Sequence, residues 1–472
     1  MSKDNQARSN GGSYAKVLNR VFLPLHSSIR RRRYAQFRGF VEESQWWTRE
    51  KLEAFQFQEL QKLLRIAFDS VPFYQKRYAE AGVRLDDIQS PADLRRLPVL
   101  ERDDVRRFKE ELRSSSYTGK LLSHSTGGST GAPIQFYRSP ESYDWRTAVT
   151  DRSYAWTGAI LGNRILYLWG APTGHPSLWS RAKLNAYRWI RNEFVIDSFH
   201  RGPDFWHNVI KIIDTVVPTA IVGYTSNIEE LCAFAQEHGL RFSSVKGVVA
   251  AAETVYPDLR QRVKETLGAP LFNTYGSREF MSIAVECGQG GFHVNMENIY
   301  LENDEEGRQS DLLVTDLHNY AMPFIRYRIG DTGLLSQDQC ICGRGLHGLA
   351  ALEGKTWDIL RTPSGGTIPG IVVRHFLKDI PEVRQYQAEQ TDCDRIVLRL
   401  ALQKPLSRES REFLTNEFRK AFGTELQLQI DEVAEVPRSA SGKLRCVIGL
   451  PMEKLRPSTT APDVPAMATQ NR

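Results

Sequence analysis

Four short segments carry residue types that handle a nucleotide. The first is Ser125-Thr-Gly-Gly-Ser-Thr-Gly-Ala-Pro133. Gly127, Gly128 and Gly131 allow tight turns whose amides point at phosphate oxygens, and the hydroxyls of Ser125, Thr126, Ser129 and Thr130 add donors. The Lys-Ser/Thr ending of a P-loop is missing. The second is Asn273-Thr-Tyr-Gly-Ser-Arg-Glu279, where Tyr275 can lie against a purine and Glu279 can hold Mg²⁺ through a carboxylate shared with substrate phosphates. The third is Pro323-Phe-Ile-Arg-Tyr-Arg-Ile-Gly-Asp331. Its aspartate, just past a glycine at an expected strand end, can accept both hydroxyls of a ribose. The fourth is Pro437-Arg-Ser-Ala-Ser-Gly-Lys-Leu-Arg445, where Lys443 is a cation on an exposed loop that can stabilise charge growing on a phosphoryl group. Taken singly, each also reads as something ordinary: a polar loop, a Tyr-Gly turn, a turn aspartate, a surface lysine.

A second chemistry lies in the cysteines. Cys287 and His293 are spaced C-x5-H, and Cys340 and Cys342 form a C-x-C pair. Three thiolates and an imidazole make a donor set for tetrahedral structural zinc, with no open position for catalysis. The spacing is not that of a common finger, and the alternative is two reduced, buried cysteine clusters.

These residues need elements to hold them. Arg164–Trp169, Thr219–Tyr224, Val245–Ala250 and Pro270–Thr274 read as strands. A helix opening on a Ser226-Asn-Ile-Glu229 capping box and closing at Gly239, and another over Pro257–Leu267, lie between them. Strand–helix–strand at this spacing predicts a parallel sheet covered by helices, with ligands beyond the carboxyl ends of the strands. Apolar periodicity predicts a helix over Arg49–Tyr78. Past about Glu353 the texture changes: a strand over Ile396–Leu402, a helix over Ser407–Phe422 and a strand over Leu426–Ile430 predict a small α+β domain. The expected organisation is a basic, partly disordered N-terminal arm (1–45), a large α/β domain (46–357), a small α+β domain (358–455) and a disordered tail (456–472).

Composition bounds the reading. The 472 residues carry a net charge of +6 and 41% hydrophobic residues, ordinary for a globular protein and too weakly basic to argue for nucleic acid. Six cysteines in this length do not form a disulfide scaffold. No apolar run spans a membrane, and the polar start lacks a signal-peptide core, so a cytoplasmic enzyme is expected. Val17–Leu25 is apolar with a basic interruption, and Arg30–Arg33 is a run of arginines. Together they read as a solvated basic arm or as a weak contact with an anionic membrane surface. Nothing in the sequence sets an oligomeric state.

In their order and separations, the four motifs together resemble the adenylate-forming superfamily. The chain resembles the phenylacetate–CoA ligase branch, and within it the poorly characterised relatives found in capsular polysaccharide gene clusters, over roughly Trp46 to Arg445. The resemblance implies that Ser125–Gly131 is the phosphate loop and that Ala251-Ala252-Glu253 lines the adenine site. It implies that Tyr275, with Gly276 and Ser277 beside it, stacks on adenine, that Glu279 holds Mg²⁺ and that Asp331 binds the ribose. Lys443 would catalyse adenylation on a small domain that rotates about a hinge at Asp358, with Lys355 near the nucleotide. Some relatives carry zinc at positions corresponding to Cys287, His293, Cys340 and Cys342. The chain departs from the family at Ala132, where a lysine is usual, and at Lys355, where an arginine is usual; lysine lacks the arginine fork.

The expected reaction is ATP-dependent activation of a carboxylic acid as acyl-AMP, then transfer of the acyl group to coenzyme A. Trp169, Tyr224 and Phe272 are candidates to line a pocket for an aryl or arylacetic acid, or else core residues. The alternatives are an adenylate-forming enzyme that passes the acyl or adenylyl group to an amine or hydroxyl, as in polysaccharide biosynthesis, and a nucleotide-binding protein without turnover.

Overall fold

The computed structural model describes residues 12–29, 32–126, 134–170, 178–198, 204–252, 255, 257–336, 338–353, 359–364, 366–377, 380–434, 436 and 446–450. The chain starts with α1 (Ser13–Val17), a π turn (Leu18–Phe22), α2 (Leu23–Ile29) and α3 (Tyr34–Ser44). Leu18, Tyr34, Phe37 and Val41 are buried in one cluster with Trp145, on which Phe37 stacks at 4.1 Å between centroids. The stretch expected as a partly disordered arm is therefore helical over these spans. Arg32 and Arg33 pair with Asp144 and Glu141 at 2.5 and 2.7 Å; Arg30 and Arg31 lie outside the described residues. So do residues 1–11 and 451–472, on which the other expectations of disorder fall.

The predicted single helix over Arg49–Tyr78 is two, α4 (Arg49–Ser70) and α5 (Pro72–Glu80). Proline at 72 cannot continue a helix, and Val71 before it is extended, at φ −115° and ψ 103°. After α6 (Arg102–Arg107), β1 (Leu122–Ser125) and β2 (Gln135–Arg138) form an antiparallel pair that leads into α7 (Pro140–Ala155). Arg152 of α7 reaches both carboxylate oxygens of Glu297 at 3.0 Å, and Arg146 pairs with Asp316. All four side chains are buried, so losing one partner would strand a charge; the pairs hold α7 in one orientation.

The alternating region follows as β3 (Ile165–Trp169), α8 (Leu178–Arg191), β4 (Glu193–Asp197), α9 (Phe205–Val216), β5 (Ala220–Tyr224), α10 (Thr225–Glu237), β6 (Gly247–Ala251), α11 (Pro257–Leu267) and β7 (Leu271–Ser277). β5 and β6 are buried at every residue, as strands covered on both faces must be. The capping box expected at Ser226 is not the helix start: α10 begins at Thr225 with Tyr224 as N-cap and no side-chain cap bond. The sheet order is β10 (Ile299–Asn303), β11 (Ser310–Asp316), β12 (Tyr327–Ser336), β13 (Gly348–Glu353), β9 (Phe292–Val294), β8 (Met281–Glu286), β7, β6, β5, β3, β4. From β4 to β7 it is parallel, as predicted. Beyond β7 it continues antiparallel through β8, β9, β10, β11, β12 and β13. The hairpin of β7 and β8 is too short for the crossover that a parallel pair requires.

The small C-terminal part holds β14 (Ile359–Arg361), β15 (Thr367–Pro369), α12 (Ile371–Leu377), β16 (Val383–Asp392), β17 (Arg395–Leu402), α13 (Arg408–Phe422), β18 (Gln427–Val433) and β19 (Val447–Ile448). Its sheet runs β18-β17-β16-β19, and its core is built from residues such as Phe376, Leu398, Leu400 and Phe418. Tyr224 of the large sheet belongs to the same apolar cluster. The expected boundary at 357/358 falls on residues 354–358, outside the described residues. No helix among the described residues is long and apolar enough to cross a membrane.

Candidate functional site

The carboxyl ends of β3, β5, β6 and β7 lie side by side, with Tyr224 paired to Ala251 and Ala251 to Thr274. This edge is where a parallel sheet receives a ligand. Ala251 is buried, and Ala252 after it adopts φ 67°, a left-handed conformation that costs energy in a non-glycine residue. Glu253 lies outside the described residues.

Tyr275 is the next side chain on this edge. It is buried, and its hydroxyl donates to Asp331 Oδ2 at 3.0 Å. Burial pushes the phenol up, and the Asp331 charge adds to the shift. Asp331 was expected at a strand end; it lies inside β12, which runs on to Ser336. Gly276 is required by close approach: a Cβ there would meet the Met281 carbonyl oxygen at 1.9 Å. The Ser277 hydroxyl is buried with no hydrogen-bond partner among the described residues.

Glu279 follows in the turn between β7 and β8. Two buried arginines, Arg138 and Arg146, donate to its main-chain carbonyl and fix the turn. Its Oε1 accepts from Arg102 Nη1 and from the Tyr327 hydroxyl, both at 3.4 Å. Arg102 also donates to Thr126 Oγ1 at 2.8 Å. Thr126 is fully buried and closes the neck of the glycine-rich loop: its amide donates to the Ile134 carbonyl at 2.9 Å, and its Oγ1 accepts from the Ile134 amide at 3.2 Å. Ser125 ends β1, and its carbonyl accepts from Arg278 at 3.3 Å. Gly127, Gly128, Ser129, Thr130 and Gly131 lie outside the described residues, as do Lys355, Asp358 and Lys443.

The small domain reaches this wall through α12. His375 Nδ1 lies 3.4 Å from Arg278 Nη2. Burial pulls the Arg374 guanidinium down; Tyr386 and Glu279 oppose that pull, while Arg102 and Arg278 reinforce it. Of these arginines, Arg102 bonds to the Glu279 carboxylate, and Arg278, the residue before it, reaches the Ser125 carbonyl and His375. The sequence reading assigned none of them. Arg102 stands in the run Glu101-Arg-Asp-Asp104, which reads as solvated surface. Arg374 did carry a signal, an arginine inside the apolar run Ile371-Val-Val-Arg-His-Phe-Leu377.

Of the acid-pocket candidates, Trp169 and Tyr224 stack at 4.4 Å with 17° between planes, at the ends of β3 and β5, packed against the small-domain core. Phe272 is buried opposite Val249 earlier in β7.

Away from this edge, Cys287, His293, Cys340 and Cys342 converge, with one ligand atom from each lying within 4.8 Å of all the others. Cys287 Sγ and Cys340 Sγ are 3.7 Å apart, and Cys342 Sγ is 3.2 Å from His293 Nε2. Tetrahedral zinc with Zn–S near 2.3 Å needs sulfurs about 3.8 Å apart. Hydrogen bonds from Cys287 and His293 hold the Cys342 thiol down, toward the thiolate that binds metal. Gly291 keeps the cluster open, since a Cβ there would come within 3.1 Å of Cys340 Sγ.

Residues 360–449 match the CapK C-terminal domain family. The chain is 22% identical to Protein CapK of Staphylococcus aureus, covering 76% of this chain and 80% of that one. It is 26% identical to the phenylacetate-coenzyme A ligase of Thermus thermophilus, over 85% of this chain and 97% of the relative. Its fold matches that of a 2-hydroxyisobutyryl-CoA ligase solved with 2-HIB-AMP and CoA in the thioesterification state, with a TM-score of 0.58, 20% identity, and coverage of 86% and 91% of the two chains.

Proposed function

We propose that this relative of CapK and of the phenylacetate-coenzyme A ligases, which has the adenylate-forming acyl-CoA ligase fold, joins a carboxylic acid to coenzyme A through an acyl-adenylate. The observation that carries the reading is that Arg102 ties Thr126, at the neck of the glycine-rich segment, to Glu279, in the hairpin whose first strand sets Tyr275 against Asp331. In the first step the carboxylate attacks the α-phosphorus of ATP, the bond to the bridging oxygen breaks, and pyrophosphate leaves. Tyr275 and Asp331 orient adenine and ribose. Thr126 and the loop after it cradle phosphates, and Arg102, Arg278 and Arg374 neutralise the leaving pyrophosphate in place of the lysine missing at Ala132. Glu279 is the carboxylate for Mg²⁺, which supplies charge neutralisation at the phosphates when bound. Lys443 serves the adenylation step. In the second step a thiolate attacks the acyl carbonyl and AMP leaves. Cys287, His293, Cys340 and Cys342 hold a structural zinc, for which their spacing fits.

The test is pyrophosphate release from ATP with a panel of aryl and aliphatic acids, with and without CoA, beside Lys443→Ala. Release that needs one acid and Lys443, and that rises with CoA, is the expected result. A second reading is transfer of the acyl or adenylyl group to an amine or hydroxyl. Release that is indifferent to CoA and stimulated by such an acceptor would favour it. Silence from folded, ATP-binding protein across the panel would sink both.

A further inference from the structure

Eleven of the fifteen large apolar side chains that are exposed among the described residues belong to two segments, Ser13–Ile29 and α8. In α8, Leu178, Trp179 and Trp189 are 81%, 87% and 79% exposed. At helical spacing they share an arc of roughly 120° with Ala182, Ala186 and Ile190. The opposite face is the one turned to the protein: Arg191 is buried there and bonded to Asp151 and Glu193, both at 2.7 Å. A helix on a folded domain normally buries its apolar face, and this one presents it outward. The N-terminal segment does the same. Val17, Val21 and Leu25 recur every fourth residue on an exposed stripe, while Ala15 and Leu18 face in. The two segments meet where the Tyr14 hydroxyl donates to the Ile190 carbonyl at 2.6 Å.

Charge selects the occupant. Neither segment contains an aspartate or glutamate, and Lys16, Arg20, Arg181, Lys183 and Arg188 accompany the apolar residues. A second copy would set these cations against their own kind. Tryptophan with flanking Lys and Arg on an amphipathic helix is the composition that lies in the headgroup region of an anionic bilayer, with rings at the acyl boundary and cations reaching phosphates. We propose that α8 and the N-terminal helical segment form a peripheral docking surface for an anionic lipid bilayer. This surface does not depend on the reaction assigned above.

The experiment is co-sedimentation of the full chain with vesicles of phosphatidylcholine alone or mixed with phosphatidylglycerol, at low and high salt. The wild type is compared with Trp179→Ala/Trp189→Ala and with Arg181→Glu/Lys183→Glu. Circular dichroism and the melting temperature check that the variants fold, and these residues lie outside the nucleotide site. The expected result is binding to the mixed vesicles only, weakened by high salt and reduced roughly tenfold or more in each double variant. Three results overturn the proposal: no binding to mixed vesicles, equal binding by wild type and both folded variants, or a wild-type dimer that the tryptophan variant dissolves.

Discussion

The Tyr275 hydroxyl and the Asp331 carboxylate, 3.0 Å apart, join two segments that stand 56 residues apart in the chain. The contact brings an aromatic side chain and a carboxylate together at one edge. Removing the carboxylate should weaken binding of a non-hydrolysable ATP analogue by roughly ten- to a hundredfold in Asp331→Ala, from the ~1.5–3 kcal/mol of hydrogen bonds to a charged group. Tyr275→Phe keeps the ring and should cost less. Calorimetric titration of the three proteins decides, and unchanged affinity in Asp331→Ala would remove Asp331 from the nucleotide site.

Arg102 links Thr126 to Glu279. Glu279 is buried, so Arg102→Met leaves a carboxylate without one of its cations and should lower stability by a few kcal/mol, on the order of a broken buried pair. Glu279→Gln removes the charge without the stranding. It should fold, bind nucleotide, and shift the Mg²⁺ dependence of pyrophosphate release to higher concentration. A magnesium titration that superimposes on the wild type would show that Glu279 does not hold the ion.

The cysteine cluster predicts zinc at one ion per chain, measured by elemental analysis of the purified protein. Cys340→Ser and Cys342→Ser should each lose the metal and melt at lower temperature, because binding energy at a structural site is folding energy. Activity should fall only as the fold does. A metal-free protein of wild-type stability would return the cluster to four reduced side chains.

His124, one residue before the glycine-rich segment, stacks on Phe136, and burial with the charges of Arg138, Arg146 and Arg278 lowers its pKa to about 4. An unfolded histidine titrates near 6.5, so the unfolded state binds the proton first on acidification. The contribution of a neutral His124 is therefore complete above about pH 6.5 and is lost as pH falls toward 4. His124→Phe should flatten that part of the stability–pH curve measured by urea unfolding. Parallel curves for the two proteins would mean that other groups cause the acid loss.

Gly276→Ala should destabilise by roughly 1–3 kcal/mol and disturb nucleotide binding, because the new methyl collides with backbone. Gly39→Ala in α3 has nothing within 4 Å and should stabilise by about 1 kcal/mol. Equal and small effects of the two on thermal unfolding would mean that the β7–β8 hairpin is looser than drawn.

What the sequence alone determined was local. Continuous apolar runs such as Ala220–Tyr224 and Gly247–Ala251 had to be covered strands, and Gly239 and Gly268, with φ of 64° and 67°, follow the helices they were read as ending. Ser125, Tyr275, Glu279 and Asp331 were legible because their types are unusual in that order. The cysteine and histidine set was legible because thiols and imidazole are sparse enough to count. Tertiary structure decided the rest. Strand pairing depends on which chain segments close on each other, so the turn to an antiparallel sheet after β7, which brings Asp331 of β12 to Tyr275, was not written in either segment. Arg102 becomes a candidate site residue only because α6 approaches Glu279 from a distant part of the chain. The outward face of α8 is apolar in sequence like any core face; only its exposure in the folded chain reveals that nothing in the described structure covers it.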